Sequence, residues 1–283
     1  MIKTPLSTVI GGAFWTPGCT VIGGNTPTFD QQILKLFATG EQGFFYDPND
    51  LRTMYQDAAG TIPVTAAGQA VGLILDKSGR NNHAYQTTSA SRPILRKNAV
   101  TGANYLEFDG SDDFLQTGNI DFTGTDEMSL FAGVRKLNDL TGGVVIELSD
   151  TSVNTGSFRI YAGDGSAKGP YWSFAVRGNI SSVAITPATY PSPISNVLTG
   201  KSDITTSTVT INVDGVEVAR NLTNISASNF GSYPLYIGRR GGTSLPFNGH
   251  IYGLIGVGKL VSDSETVAIE KELAKRVGVT LNV

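Results

Sequence analysis

The sequence holds one cysteine, Cys19, so no disulfide can close within the chain and no thiolate cluster can bind a metal. Histidine is nearly as scarce. His83 and His250 are the only two, which excludes a three-histidine metal centre. Charged side chains make up 16% of the chain, below the roughly 25% usual for soluble domains. The 21 basic and 24 acidic residues leave a formal charge of −3, so the chain has no basic footprint for nucleic acid or an anionic membrane surface. It also lacks any run of about 18 apolar residues, the length a membrane-spanning helix needs. The opening stretch is interrupted by Pro5, Gly11 and Gly12, which argues against the continuous apolar core of a secretory signal. No period of roughly 20 to 50 residues recurs, which argues against a solenoid or propeller.

Glycine and small polar residues are abundant instead. The chain has 34 glycines, and 40% of its residues are hydrophobic, enough for a sizeable core. That balance points to an all-β protein with many turns.

Residues 1–44 read as an arm. Pro5, Pro17, Pro27 and two glycine pairs punctuate it, yet Phe14, Trp15, Val21 and Ile22 are too apolar for a free tail. Packing on its own domain and ordering on a neighbouring subunit are both open. Phe29, Ile33, Leu36 and Phe37 have helical spacing, with Gly40 as the stop, so a short helix is expected within 29–43. Residues 45–283 form the second unit. Strand-like segments recur there between Gly, Asp and Ser clusters: 71–75, two runs within 103–118 around Asp109-Gly110, 128–137, 142–150, 157–165 and 170–178. "TVTINVDGVEVA" is a hairpin signature, with Asp214-Gly215 between two alternating runs. A final helix is expected after Ser262. Glu265 completes a capping box, Val267, Ile269, Leu273 and Val277 give an apolar side, and Gly278 is the stop.

"ILDKSGRNNHAYQTTSASRPILR", "YLEFDGSDDFL", the hairpin, "LYIGRR" and "FNGHIYGLIGVGKLVSDSE" occur here in an order that resembles the concanavalin A-like lectin/glucanase superfamily, in its laminin-G-like form. "YDPNDLRTMYQDAAGTIPVTAAGQAVG" resembles a version of that domain common in structural proteins of tailed bacteriophages and prophages. The resemblance implies an all-β, two-sheet antiparallel jelly-roll sandwich with an N-terminal arm, a short N-terminal helix and a C-terminal helix. It implies a non-enzymatic structural protein of the virion, as head decoration, fibre or tail component, assembled in the bacterial cytoplasm. The expected partners are other virion proteins, met through the arm, and further copies of the chain. No nucleic acid and no membrane insertion are expected. The alternative is a carbohydrate-binding module that recognises a host-surface glycan. A glycan depolymerase is the third reading.

The residues sort accordingly. Glu107, Asp109 and Asp112 form a Glu-x-Asp-x-x-Asp pattern, similar to the glucanase Glu-x-Asp-x-x-Glu, but Asp109-Gly110-Ser111-Asp112 reads as a turn. A retaining glycosidase needs carboxyls about 5–5.5 Å apart, and a turn points them in unrelated directions. Asp109, Asp112 and Asp113 are candidate oxygen ligands for calcium, and no other cofactor is expected. Candidates for glycan contact are Tyr171 and Trp172, Arg239 and Arg240, and Asn81 and Asn82. In a strand, neighbours Tyr171 and Trp172 face opposite ways, so at most one ring is on the surface. His83 is expected to be a turn residue.

Overall fold

The computed structural model describes residues 8–10, 13–15, 27–150, 154–163, 169–226 and 229–282. In chain order its elements are β1 (Thr8–Ile10), β2 (Ala13–Trp15), α1 (Phe29–Lys35), β3 (Gly43–Tyr46), β4 (Met54–Tyr55), β5 (Leu73–Ile74), β6 (Ala84–Tyr85), β7 (Ile94–Lys97) and β8 (Asn104–Asp109). There follow β9 (Leu115–Asp121), β10 (Glu127–Lys136), β11 (Gly143–Leu148), β12 (Ser157–Ala162), β13 (Trp172–Arg177), β14 (Ser181–Ile185) and β15 (Ile194–Asp203). The last are β16 (Thr208–Val213), β17 (Val216–Asn221), β18 (Ser232–Ile237), β19 (Asn248–Val257) and α2 (Asp263–Val277).

Two antiparallel sheets face each other, as the sequence leads one to expect. The eight-stranded sheet runs β17-β16-β15-β10-β19-β8-β7, with β3 also paired to β19. The nine-stranded sheet runs β14-β13-β12-β11-β18-β9-β6-β5-β4. Alternation sends one side of each strand inward, so Phe108, Leu130, Leu198 and Ile211 of one sheet meet Ile146, Phe158, Phe174 and Ile237 of the other. Each such side chain contributes about 1.5–3 kcal/mol by leaving water. β1 and β2 pair only with each other among the described residues. Phe14 and Trp15 fall in β2, while Val21 and Ile22 lie outside the described residues.

Both helices lie on the outer face of the eight-stranded sheet. Ile33, Leu36, Ile269, Leu273 and Val277 form a second core with Phe131, Tyr252, Ile255 and Val257. Capping boxes start both helices, Thr28 with Gln31 and Ser262 with Glu265. Gly278 ends α2 at φ 84°. α1 stops at Lys35, short of the expected Gly40, and turns carry the chain onward from there. An ion knot ties the helices down. Asp47, 3% exposed, holds Arg276 Nη1 of α2 at 2.7 Å and Lys77 Nζ at 3.4 Å, and Lys77 reaches Asp30 of α1 at 2.8 Å.

Candidate functional site on the outer face of the nine-stranded sheet

The site follows from register. Residues directly opposed in an antiparallel ladder share a face, and chain neighbours take the other face. Across the nine-stranded sheet, Ala184, Phe174, Ile160, Ile146, Ile237 and Leu115 form one row of opposed residues, and all are in the inter-sheet core. The adjacent row therefore faces outward. It reads Val183, Ala175, Arg159, Glu147, Tyr236, Gln116, Tyr85, Leu73 and Tyr55. Neither helix packs on this face.

The row has three parts. At one end, Tyr55, Leu73, Tyr85, Gln116 and Tyr236 are half-buried, with their outer edges open. Tyr85 and Tyr236 flank Gln116, two inter-strand spacings or about 10 Å apart. Burial raises the Tyr236 hydroxyl pKa, and the charges of Asp150 and Glu147 add to it. In the middle, Glu147 is 2% exposed and its Oε2 accepts from Arg240 Nε at 3.0 Å. The Nη2 of Arg240 is buried with no hydrogen-bond partner among the described residues. Arg159 lies beside this pair, its guanidinium 6.0 Å over the Tyr161 ring; burial and the charge of Arg240 push its pKa down. Ala175 and Val183 close the far end with small apolar side chains.

Half-buried tyrosines are rigid, amphipathic platforms. The apolar C–H face of a sugar ring can stack on them. The half-buried Gln116 amide between the rings can donate to and accept from neighbouring hydroxyls, while the buried Glu147–Arg240 pair holds the 238–246 loop against the sheet. An apolar surface with a few placed polar groups is the usual make-up of a small-ligand site.

The sequence candidates fare unevenly. Arg240 joins the face through Glu147. Trp172 is corrected: it is 0% exposed in the inter-sheet core, with Nε1 donating to Asn196 at 3.0 Å, because β13 alternation turns it inward. Tyr171 precedes β13 and is half-buried, and its carbonyl accepts from Lys136 Nζ at 3.3 Å. Arg239 folds back on its own loop, donating to the Thr243 carbonyl at 3.0 Å. Asn81 is exposed at φ 60°, while the Asn82 amide donates to the Gly43 carbonyl at 2.7 Å and holds the turn together. His83 is a turn residue, its Nδ1 accepting the Asp76 amide at 3.0 Å.

The acidic knot is a turn between β8 and β9. Asp109 accepts from the Ser111 amide at 2.7 Å, Asp112 from Ser91 Oγ at 2.6 Å, and Asp113 from the Asp109 amide at 3.0 Å. Carboxylate oxygens of all three lie within 4.8 Å of one another, so the turn gathers the candidate calcium ligands. Glu107 is on β8 and receives Arg96 Nη2 at 3.0 Å, whereas Asp112 lies beyond the strand end. The carboxyl pair of the glucanase pattern therefore does not share one strand.

Sequence reasoning missed Tyr85, Gln116, Glu147 and Tyr236. Their local signal is a single polar or amphipathic residue between two apolar ones, as in "IEL" and "LYI".

No protein-family model matches the chain, and no curated protein matches it in sequence. Solved structures do match in shape. The botulinum neurotoxin serotype D binding domain superposes with a TM-score of 0.52 at 11% identity, over 70% of this chain and 49% of that one. The serotype D ligand binding domain in complex with N-acetylneuraminic acid gives 0.51 at 11% identity, over 72% and 48%. The CBM40 of a Ruminococcus gnavus IT-sialidase, bound to α2,3-sialyllactose, gives 0.41 at 16% identity, over 55% and 97%. The fold shared with the two toxin domains is a two-sheet jelly-roll sandwich. The chain spans about half the length of the toxin domains it matches.

Proposed function

We propose that this protein is a non-enzymatic carbohydrate-binding module that recognises surface glycans with the outer face of its nine-stranded sheet. The observation that carries the reading is the half-open outward row Tyr85–Gln116–Tyr236, backed by the buried Glu147–Arg240 pair. It offers two aromatic stacking surfaces with an amide between them, on a face without a helix. N-acetylneuraminic acid, bound by one solved domain of this shape, belongs among the sugars tried first.

A glycan array with the full chain and the Tyr236→Ala variant tests it. Truncating one aromatic anchor is expected to cost about 2 kcal/mol, a roughly thirtyfold loss of affinity. Unchanged binding by Tyr236→Ala and by Tyr85→Ala would move the site off this face.

A virion role is the second reading. The observation that favours it is the separate β1–β2 hairpin, which joins neither sheet of the body among the described residues. On this reading residues 1–44 anchor the chain to other virion proteins, residues 45–283 face outward in several copies, and many weak glycan contacts add up to avidity. The protein would then reside in the virion after assembly in the bacterial cytoplasm. Imaging of purified particles, with the chain located by a bound antibody fragment, tests it. Particles that never carry the chain would end this reading and leave glycan binding untouched.

A further inference from the structure

The helices leave part of the eight-stranded sheet bare. α2 packs mainly on β10, β15 and β19, and it leaves the outer part of β16 and β17 open. A groove of about 340 Å³ lies there, between the start of α2 and the edge strand. Register explains its floor. Val209, Ile211 and Val213 face the inter-sheet core, so Thr208, Thr210 and Asn212 face outward. A register shift beside Asn212 brings Glu217 and Arg220 onto one wall, where Arg220 Nε and Nη2 donate to the Glu217 carboxylate at 2.9 and 2.7 Å. On the other wall Lys201 Nζ donates to the Val261 carbonyl at 2.8 Å and stands 3.7 Å from Asp263. Beside the floor, on the sheet-facing side of α2, Glu270 is 1% exposed and its Oε1 accepts from Thr199 Oγ1 at 2.6 Å.

Donors and acceptors alternate around this groove, and no aromatic ring lines it. Lys201 and Arg220 face Asp203, Glu217 and Asp263, an excess of one negative charge that disfavours anions. A sugar hydroxyl both donates and accepts, so a neutral polyhydroxylated ligand satisfies both kinds of group. The volume is at the small end of the range of about 300–1,000 Å³ for ligand pockets, the size of one or two sugar rings.

We propose that this groove is a second saccharide site, selective for neutral sugars, so that one molecule holds two glycan chains on opposite faces of the sandwich. The proposal rests on the glycan-binding reading above and adds a site to it. The two outer faces point away from each other, so the sites cannot share a short ligand; they link separate chains.

An array of neutral, uronic and sialylated oligosaccharides, probed with the full chain, the Glu217→Ala/Arg220→Ala variant and Tyr236→Ala, tests it. The double substitution removes both members of a surface pair and strands neither. It is expected to lose neutral glycans about tenfold while keeping those lost by Tyr236→Ala. Beads coated with one glycan from each class are expected to co-aggregate with the wild-type chain and with neither variant. A double variant with the wild-type array profile overturns the second site and leaves the first in place. Wild-type chain that binds both glycans but does not join the beads overturns simultaneous binding. A wild-type chain that binds no glycan overturns both readings.

Discussion

Asp113→Asn tests the electrostatics of the acidic turn. Asp113 is 7% exposed, with its carboxylate in the same cluster as Asp109 and Asp112. Burial raises its pKa to about 7; the Asp109 amide opposes this, and the charges of Asp109, Asp112 and Glu107 reinforce it. An unfolded aspartate titrates near about 3.9. Between those values the folded chain holds a proton that the unfolded chain has released, so stability falls as pH rises from about 4 to about 7 and stays low above. Three pKa units set a ceiling of about 4 kcal/mol. The turn is at the surface, where effective dielectric is high, so about 2 kcal/mol is expected.

Asparagine keeps an oxygen for the Asp109 amide and removes the charge. The variant should therefore be about 2 kcal/mol more stable than wild type at about pH 8. Near pH 4.5, where Asp113 is protonated in the folded chain but mostly ionised in the unfolded one, the gain should shrink to about 1 kcal/mol. His250 imposes the opposite slope. Burial depresses its pKa to about 4, with Arg135 and Arg96 assisting and Glu107 opposing, so its contribution to stability is lost as pH falls from about 6.5 toward 4. The two slopes partly cancel in the wild-type chain, and only the difference between wild type and variant isolates Asp113. Guanidinium melts at both pH values measure it. An equal shift at the two pH values, or a loss of stability at the higher one, would refute the argument.

Asp47→Ala should lower unfolding free energy by about 3–5 kcal/mol in denaturant melts, because it leaves Arg276 and Lys77 partly buried without their shared carboxylate. Millimolar calcium at about pH 8 should leave the melting temperature unchanged, since each carboxylate of the acidic turn already accepts a local hydrogen bond. A rise of several degrees that Asp113→Asn abolishes would assign a cation to the turn.

Local signals carried much of the fold. Asp214 and Gly215 take φ 51° and 89°, as an Asp-Gly hairpin requires, and the Ser262 capping box places α2. β15 escaped notice although it is central, because Ser195, Asn196, Thr199 and Lys201 break its apolar pattern. Those polar groups are tolerated there because specific partners lie across long sequence gaps: Glu270 for Thr199, Asp214 for Asn196 and the Val261 carbonyl for Lys201. The candidate site was illegible for a related reason. Tyr85, Gln116, Glu147 and Tyr236 come from four separate strands, and register between distant strands decides that they form a row. Local pattern gave each residue's face and no more.

Where the helix sits decides which surface remains for ligands. α2 approaches the eight-stranded sheet over Gly133 and Gly253. A Cβ on Gly133 would stand 2.9 Å from Val277 Cγ2, and one on Gly253 would stand 3.2 Å from Leu273 Cδ2. These two glycines on neighbouring strands form a seat that a larger residue would fill. The apolar row Phe131, Ile255 and Val257 beside it then needs a cover, and α1 and α2 supply one. The outward row of the nine-stranded sheet has no such seat and is mixed in polarity, so it recruits no helix. Burying Gln116 and the hydroxyl ends of Tyr85 and Tyr236 beneath one would desolvate polar groups that a sugar can satisfy. The same logic leaves Thr208 and Asn212 half-open beside the start of α2. Both proposed sites are thus the surfaces that the helices had no energetic reason to cover.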